Sequence, residues 1–485
     1  MKKYDVIVVG LGAAGTMAAH AVTSAGLSCV ILEKGKNYGA SNAARSGGPA
    51  LAETRLQKEE NATVTREQLF QHMYKYSRGT VHAGLLQNAI NKGSRVEEIL
   101  LDAGIEMTLL PDTYGVGFRA REFITTPPTK RWKLLTKKIE ENNGEIYFER
   151  EAERLLTDGE GRVVGVVAKD ISESGEGREI EFYGKAVVIA SGGYLGNEEM
   201  MQKLFGNVHV GALGSKKSNG RGICMALEVG GILDRSFGIC ANEFGGFHSK
   251  MKRRRSSNMY FAIGGGLLVN RFGRRFMNEQ YMSDQPLSIG GEITLREGKF
   301  YAVMDEGQYH ALKEGTLYDY YGRPDEWHVG RMTHDKLIPW KEADFFRDME
   351  DGFATSGRTI QELAGYFHLS ELEKTVAEYN RMCLNGKDVA FGKASYLMKP
   401  IQKEPFYIFE YETSAWCTLG GVKTDEYCRS LNADGEIIPG LYVVGVDNGS
   451  CYCTPYYDNE GAALGIAFTL GLVAGEHIAK NISKE

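Results

Sequence analysis

The N-terminal part of the chain alternates between apolar runs and a stretch of small residues. Residues 4–9 form a nearly continuous apolar run, typical of a strand buried in a parallel sheet. An Ala-rich stretch then extends to about Ala25 and stops at Gly26, which predicts a helix with a glycine at its end. A second apolar run, residues 27–32, ends in Glu33. This order predicts a strand–helix–strand unit in an α/β fold.

Three glycines lie between the first predicted strand and the helix, spaced as GxGxxG. Gly10 allows the tight turn, Gly12 lets a pyrophosphate approach the backbone, and Gly15 lets helix and strand pack closely. The helix N-terminus favours phosphate, and Glu33 at the end of the second strand can accept ribose hydroxyls. GxGxxG alone is weak evidence, but in this frame it predicts a dinucleotide site.

The position of this fingerprint favours FAD over NAD. It stands at the start of the chain and has no second copy, whereas flavin enzymes that also dock NAD(P)H usually carry two. Residues 39–48 follow as a loop of small residues, which lets backbone donors reach a flat ring.

Composition restricts the class of protein further. The chain has 485 residues, 42% of them hydrophobic and 25% charged, so we expect two or three domains with a large core and little disorder. The formal net charge of -6 gives no sign of a nucleic-acid or anionic-membrane partner. Gly is abundant (60) and Pro scarce (11), so the glycines are not expected to mark disordered linkers.

Cysteine spacing and hydropathy bear on location. The 8 cysteines are scattered without CxxC spacing, so we expect reduced buried thiols rather than disulfides or a metal site. Apolar runs fall short of the ~20 residues of a membrane span. The chain enters its first strand at once, which leaves no room for a secretory signal. We therefore expect a cytoplasmic protein.

Four further motifs follow in order. Residues 186–194 (AVVIASGGY) read as a strand ending in a Gly-Gly turn, and residues 270–279 (NRFGRRFMNE) as a hairpin. Residues 418–422 (TLGGV) and 439–445 (PGLYVVG) add two more glycine turns. With the fingerprint and the loop, these motifs resemble the flavoprotein superfamily of fumarate reductase, succinate dehydrogenase, L-aspartate oxidase, urocanate reductase and 3-ketosteroid Δ1-dehydrogenase. The resemblance covers nearly the whole chain.

The resemblance implies a discontinuous α/β architecture. A Rossmann-like FAD-binding domain would use residues 1–237 and 405–485, with an α+β capping domain, residues 238–404, inserted between them. The FAD should be non-covalent, because the position that carries covalent flavin in succinate dehydrogenases aligns near Ser41 with no His close by. The expected cofactor contacts are Gly10, Gly12, Ala14, Gly15, Glu33, Lys34, Ser41, Asn42, Ser46, Gly47, Gly48, Ala152, Ser191, Gly192, Gly193, Gly445, Asp447, Ala462 and Leu464.

Most dicarboxylate contacts of the fumarate-type members are replaced in this chain. Their proton-donating Arg aligns with Ser283, and the His before their Thr-x-Gly-Gly motif aligns with Trp416. A second His aligns with Asn242, and a Thr-Glu pair aligns with Met259 and Tyr260. Their Asn-Arg-Leu-Gly-Gly clamp is replaced by residues 455–461. A diacid would lose its bidentate partners, so we expect an uncharged substrate.

The replaced clamp resembles that of 3-ketosteroid dehydrogenases, in which a Tyr phenol and a Gly N–H four residues later hold the substrate's ketone oxygen. Tyr457 and Gly461 have this spacing. Two neutral donors, one at a helix N-terminus, would stabilise developing enolate charge, and a Tyr pKa of ~10 keeps the phenol protonated. Alternatively, Tyr457 only covers the flavin.

The remaining site residues are less constrained by the sequence. Those dehydrogenases place an acid/base Tyr where Ser283 lies here. Tyr281 or Ser283 could therefore be the acid/base, or both could merely line the cap. Trp416 is expected to form an apolar wall for a flat substrate, with core packing as the alternative. Asn242, Tyr456 and Tyr260 are further candidate substrate contacts, and Tyr114 is another phenol that could face the pocket. Tyr114 and Tyr260 could instead have core or surface roles.

Together these features predict an FAD-dependent oxidoreductase of a C–C (C=C) bond conjugated to a carbonyl. The expected substrate is an apolar ketosteroid-like or aromatic enone. Three alternatives stay open: a fumarate- or urocanate-type reductase of a small unsaturated acid, an oxidase using oxygen, and an electron-transfer or binding subunit. The direction of the reaction is open too. No fused FMN, haem or NAD domain is recognised, so we expect a separate electron donor or acceptor.

Overall fold

The first apolar run of the chain lies at the centre of a parallel sheet. Strand β1 (Lys3–Val9) pairs in parallel with β2 (Cys29–Glu33) on one side and with β8 (Glu179–Ile189) on the other. Helix α1 (Ala13–Ser24) connects β1 to β2. The predicted strand–helix–strand unit is therefore confirmed.

This computed structural model describes residues 3–37, 41–44, 46–112, 116–175, 177–206, 210–234, 238–241, 257–258, 261–262, 264–284, 289–314, 320–321, 340–457 and 459–482. The other strands are β3 (Met107–Leu109), β4 (Glu122–Ile124), β5 (Gly144–Phe148), β6 (Arg150–Thr157), β7 (Val163–Asp170), β9 (Val210–Ala212), β10 (Gly238–Ala241), β11 (Leu267–Asn270), β12 (Lys299–Asp305), β13 (Ala354–Gly357), β14 (Phe406–Leu419), β15 (Arg429–Leu431) and β16 (Ile437–Val443). The other helices are α2 (Arg55–Glu59), α3 (Arg66–Tyr76), α4 (Ala83–Ile90), α5 (Gly93–Asp102), α6 (Pro128–Glu141), α7 (Glu198–Phe205), α8 (Arg221–Glu228), α9 (Gln280–Asp284), α10 (Gly291–Glu297), α11 (Glu306–Glu314), α12 (Glu342–Glu350), α13 (Ile360–Phe367), α14 (Leu372–Leu384) and α15 (Ala462–Asn481).

The first sheet has the order β15-β16-β8-β1-β2-β5 within the described residues, and β7 joins β6 to β8. Its central strands are parallel, which brings the carboxyl ends of β1, β2 and β8 to one edge. Because both faces are covered, Val6, Ile7 and Val8 have no exposed surface.

A second sheet contains β10-β14-β12-β11, with β9 and β13 also paired to β14. Its aromatic core includes Phe300, Phe409 and Tyr411. Strands β9 and β14 belong to this sheet, although the sequence assigned residues 210–212 and 406–419 to the first domain. The boundaries at 237 and 404 stay a prediction, but the pairing shows that β14 extends from the second sheet toward the edge of the first.

Helix α15 packs against α1 along a line of small residues. A Cβ on Gly471 would collide with the backbone of Ala14, and one on Gly475 would crowd Ala18. Within the described part of the chain, α15 alone is long and apolar enough to cross a membrane, yet 72% of its apolar window is buried inside the protein. The sequence predicts a helix that starts at residues 461–465 and runs to about Ala479, and the burial of α15 marks it as a core helix.

Candidate cofactor and substrate site

A cavity of about 450 Å³ lies at the edge where the first sheet's parallel strands end. Its walls come from the turn after β1, the ends of β2 and β8, the start of α15 and the end of β14. Ligands of open α/β sheets bind at this carboxyl edge. The fold therefore brings the predicted fingerprint, loop and C-terminal motif to one site.

The three fingerprint glycines have different roles. Gly10 has φ +106°, and a Cβ there would collide with the carbonyl oxygen of Ala190. Gly15 cannot carry a Cβ because Gly10 lies against it. Gly12 lines the cavity, and the nearest atom to a Cβ there is Ser41 Cβ at 3.7 Å. Gly10 and Gly15 thus shape the turn, while Gly12 leaves its backbone open to a phosphate.

Glu33 lies at the cavity wall with its carboxylate already oriented. One oxygen accepts a hydrogen bond from the Leu11 backbone N–H at 2.9 Å, the other from that of Gly35 at 2.5 Å. The side chain is buried but reaches the cavity, as expected of a group that receives ribose hydroxyls.

Basic and polar side chains surround the part of the cavity beside Glu33. Lys34 pairs with Glu151 at 2.9 Å, and Asn219 donates to the same carboxylate at 3.0 Å. Arg150 and Arg221 also line this part. These donors suit the adenosine diphosphate half of FAD, whose phosphates are anionic.

Asp447 accepts hydrogen bonds from the Gly-Gly turn that follows β8. Its carboxylate accepts hydrogen bonds from Ser191 Oγ at 3.0 Å and from the backbone N–H groups of Gly192 and Gly193 at 2.9 Å each. Burial raises the pKa of Asp447, and these hydrogen bonds oppose that shift. Asp447 does not line the cavity, so it positions Ser191 and Gly192, which do.

The opposite part of the cavity is built by the small-residue loop and β14. Ser41, Asn42, Ser46 and Gly47 line it, together with Trp416. Ser41 Oγ and Trp416 Nε1 are buried and have no hydrogen-bond partner among the described residues. Buried polar atoms are normally paired, so both fit a site completed by a bound polar ring.

The N-terminus of α15 closes this part. Gly461 has φ +85° and accepts a hydrogen bond from the Ala50 N–H at 3.0 Å. A Cβ at Gly461 would lie 2.8 Å from the Gly48 carbonyl oxygen, so the approach of the two segments requires glycine. Ala462 and Leu464 line the cavity in the helix's first turn. The positive end of the helix thus faces the cavity, where it favours an oxygen that carries negative charge.

An ion pair forms part of the cavity wall here. Arg121 contacts Glu460, and both side chains are about nine-tenths buried. Phe123 lines the cavity beside Arg121, because alternate residues of a strand share a face. Neither charge was predicted to have a role: Glu460 lies in the segment 455–461 that replaces the clamp, and no motif marks Arg121. The alternation of residues 121 and 123 at the start of β4 was the available signal for Arg121.

The structure brings most predicted site residues to the cavity. Those that line it are Gly10, Gly12, Ala14, Glu33, Lys34, Ser41, Asn42, Ser46, Gly47, Ala152, Ser191, Gly192, Trp416, Gly445, Tyr456, Gly461, Ala462 and Leu464. Gly15, Gly48, Gly193 and Asp447 lie behind the wall and shape it. Further wall residues that the sequence analysis did not propose include Leu11, Arg121, Phe123, Arg150, Lys217, Asn219, Arg221, Tyr452, Asn459 and Glu460.

Tyr457 lies away from the cavity. Its side chain is fully buried, and its hydroxyl donates a hydrogen bond to the backbone carbonyl of Cys451 instead of lining the cavity. Burial raises the pKa of Tyr457 well above its ordinary value, so the phenol stays a donor to that carbonyl. The neighbouring phenol of Tyr456 lines the cavity instead.

Tyr281 and Ser283 also lie away from the cavity. Tyr281 is 37% exposed near the start of α9. Ser283 is buried, and its hydroxyl donates to the Gln280 carbonyl at 2.9 Å and contacts the Asp284 carboxylate at 3.0 Å. Neither lines the cavity, so their acid/base role stays a prediction. Asn242, Tyr260 and Tyr114 lie outside the described residues.

Comparison with known proteins agrees with this geometry. The sequence profile of the family described as FAD binding domain matches residues 5–104 and 117–464. A vinyl phenol reductase of Lactiplantibacillus plantarum is 28% identical, over 98% of this chain and 96% of its own. A urocanate reductase of Eggerthella lenta is 25% identical, over 98% of this chain and 74% of its own.

Solved structures confirm the fold. The 3-ketosteroid delta1-dehydrogenase of Sterolibacterium denitrificans has a TM-score of 0.75 and 19% identity, covering 99% of this chain and 100% of that one. The predicted α/β class, a Rossmann-like FAD-binding domain with a capping domain, is confirmed by this likeness and by the family match. The chain thus belongs to the FAD binding domain family, within the fumarate reductase and succinate dehydrogenase flavoprotein superfamily, and is an FAD-dependent oxidoreductase.

Proposed function

We propose that this enzyme transfers hydride between FAD and a carbon–carbon double bond conjugated to a carbonyl or an aromatic ring, in a flat and uncharged substrate. FAD, when bound, supplies the hydride donor or acceptor. The observation that carries the proposal is the wall at the Trp416 end of the cavity, which combines aromatic side chains with a charge pair that is already neutral.

The aromatic side chains favour a flat apolar ligand. Trp416, Phe123, Tyr452 and Tyr456 line the cavity. Rings of this kind pack against planar ligands by offset stacking or edge contacts, and they exclude water from the reacting carbon. An aromatic alkene or an enone has the shape that such walls accept.

The charges of this end argue against a dicarboxylate. Arg121 is the basic residue that lines the wall beside Phe123, and Glu460 is its partner. A diacid would have to displace Glu460 from the guanidinium, leaving that carboxylate buried without its partner. A neutral substrate carries no such penalty.

We take two groups of the wall as the donors to a substrate carbonyl or phenol oxygen. Tyr456 places a phenol in the wall, and the first turn of α15 provides the positive end of a helix. Aimed at an oxygen that gains charge, such donors lower the barrier for addition to the conjugated bond. In this proposal Tyr456 takes the role that the sequence suggested for Tyr457.

Two relatives favour different substrates. The vinyl phenol reductase supports an uncharged aromatic alkene, whereas the urocanate reductase keeps a small unsaturated acid as the second candidate. An oxidase that uses oxygen is the third. A separate electron partner, non-covalent FAD and a cytoplasmic location stay part of the proposal.

Anaerobic stopped-flow reoxidation distinguishes these candidates. The reduced holoenzyme is mixed with 4-vinylphenol, cyclohexenone, a 3-keto-4-ene steroid, urocanate, fumarate or oxygen, and flavin absorbance is followed. We expect a neutral conjugated alkene to reoxidise the flavin at least about 100-fold faster than fumarate, given the cost of displacing Glu460. Fastest reoxidation by fumarate or urocanate would contradict the proposal, and reoxidation by oxygen alone would identify an oxidase.

A further inference from the structure

Backbone hydrogen bonds join the neighbours of both Arg121 and Glu460 to one segment, residues 47–50, which begins in the small-residue loop. On one side, the N–H of Glu122, next to Arg121, donates to the Pro49 carbonyl at 2.9 Å. On the other, the carbonyl of Gly461, next to Glu460, accepts from Ala50 at 3.0 Å. The backbone therefore holds guanidinium and carboxylate against each other before any substrate enters.

A guanidinium in a cavity wall is a natural receptor for a carboxylate. Its planar fork of N–H donors matches the two oxygens and gives strong charge-assisted hydrogen bonds. In this wall the carboxylate comes from the chain itself, at Glu460.

Stability alone does not account for such a pair. Two charges taken out of water gain little over a well-packed apolar pair, because their attraction only offsets the cost of desolvation. The pair also lies in the cavity wall and not in one of the hydrophobic cores. A role toward the ligand explains this position better than a role in folding.

Asn459, the residue before Glu460, gives independent support. It is 4% exposed and lines the cavity, and its side-chain Nδ2 has no hydrogen-bond partner among the described residues. An unpaired buried amide is costly unless a ligand accepts its hydrogen bond. This wall therefore offers a neutral donor to the ligand while its cation is occupied.

We propose that Glu460 determines substrate specificity: its carboxylate occupies the guanidinium of Arg121 and thereby excludes carboxylate ligands from the Trp416 end of the cavity. This inference rests on the proposed function, since it explains how the site prefers uncharged substrates. Removing the charge of Glu460 would turn the same wall into an anion site without building any new group.

The test is binding of small carboxylates to the oxidised holoenzyme of Glu460→Gln. Benzoate and fumarate are titrated, and their binding is read from the flavin absorbance and from the rise in melting temperature. We expect the Kd of at least one of them to fall by about tenfold or more relative to the wild type, because the guanidinium gains a charge-assisted partner. The melting temperature of the variant should rise with the ligand, and that of the wild type should not.

Two controls separate this effect from a general change of charge. Glu98→Gln removes one negative charge at an exposed pair with Arg95, and it should gain no affinity. Adding Arg121→Gln to Glu460→Gln should abolish the gain. A gain that persists without Arg121, or appears in Glu98→Gln, would overturn the proposal.

Glu460→Asp covers the case in which the Gln variant does not fold. Its shorter side chain keeps the charge but loosens the pair, so the Kd should fall by about threefold, less than for full removal of the charge. Unchanged Kd values in every folded Glu460 variant would refute the role of Glu460. The proposed function is judged separately, by reoxidation of the wild-type flavin, so either idea can fail alone.

Discussion

The side-chain amide of Asn42 donates a hydrogen bond of 2.7 Å to the backbone carbonyl of Trp416. The same amide accepts a hydrogen bond from the Ser215 backbone N–H. One side chain thus joins the small-residue loop, the segment after β9 and the end of β14. Since all three segments line the cavity, Asn42 ties the second sheet to the cofactor site.

We expect Asn42→Ala to weaken FAD binding by about tenfold, because two hydrogen bonds of ~1 kcal/mol each are lost and a buried carbonyl is left unpaired. The Kd of FAD, measured by quenching of its fluorescence on reconstitution of apoprotein, checks this. Asn88→Ala is the matched control, since Asn88 donates to the Glu426 carbonyl at 2.8 Å outside the cavity. Equal loss of FAD affinity in both variants would show that Asn42 has no special role.

Comparing Ala substitutions at Gly10 and Gly26 distinguishes the cost of backbone strain from the cost of distorting the phosphate-binding turn. Both have positive φ, but a Cβ on Gly10 meets the Ala190 carbonyl, whereas one on Gly26 meets nothing within 4 Å. Gly26→Ala should therefore cost about 1 kcal/mol of unfolding free energy and keep FAD. Gly10→Ala should cost more and elute without flavin in gel filtration. A flavin-loaded Gly10→Ala variant would contradict the assigned turn.

Phe variants of Tyr456 and Tyr457 test which of the two phenols donates a hydrogen bond to the substrate. Tyr457→Phe should lower the unfolding free energy by about 1–2 kcal/mol, because the buried Cys451 carbonyl loses its donor, and turnover should change less than about twofold. Tyr456→Phe should lower kcat by about 100-fold, the usual effect of removing one donor to a developing oxyanion. Steady-state kinetics with the best neutral alkene measures both. The reverse result would restore the role that the sequence assigned to Tyr457.

Local geometry explains which of these features the sequence could predict. Gly10 and Glu33 act within one strand–helix–strand unit, where spacing along the chain determines position, so their places were predicted. The segment around Tyr457 has no such periodicity: a phenol there reaches either the cavity or a carbonyl of its own segment. The resemblance implied the cavity, whereas in the structure the hydroxyl of Tyr457 donates to the Cys451 carbonyl.

Long-range pairs were harder still to predict. Arg121 and Glu460 are far apart in sequence and meet because residues 47–50 bind the neighbours of both. A hydrophobicity pattern gives no signal for such a contact, since each charge alone looks like a surface residue. The sheet to which β14 belongs was hard to predict for a similar reason: a long apolar strand fits either sheet, and only pairing with β12 assigns it.

Glu122 lies behind the cavity wall, on the strand face opposite Arg121 and Phe123. It has no exposed surface, and burial raises its pKa to about 8. The negative charge of Glu97 raises the pKa further, while the nearby Thr54 opposes the shift. At neutral pH the carboxyl of the folded protein is therefore mainly protonated, whereas that of the unfolded chain, with the ordinary pKa of 4.5, is ionised.

The sign of the pH dependence follows from this difference. Between pH 4.5 and about 8 the folded state holds one proton more than the unfolded state at Glu122, so its contribution to stability falls as the pH rises. We expect the unfolding free energy of the wild type minus that of Glu122→Gln to fall with pH, at up to about 1.4 kcal/mol per unit, and to level off above pH 8. Urea unfolding measures this difference at about pH 5, 6, 7 and 8. The steps of ~1 pH unit each test the predicted slope. The exposed Glu98→Gln serves as the control for the removal of one negative charge. A flat difference for Glu122→Gln would mean that Glu122 ionises in the folded protein as it does in water.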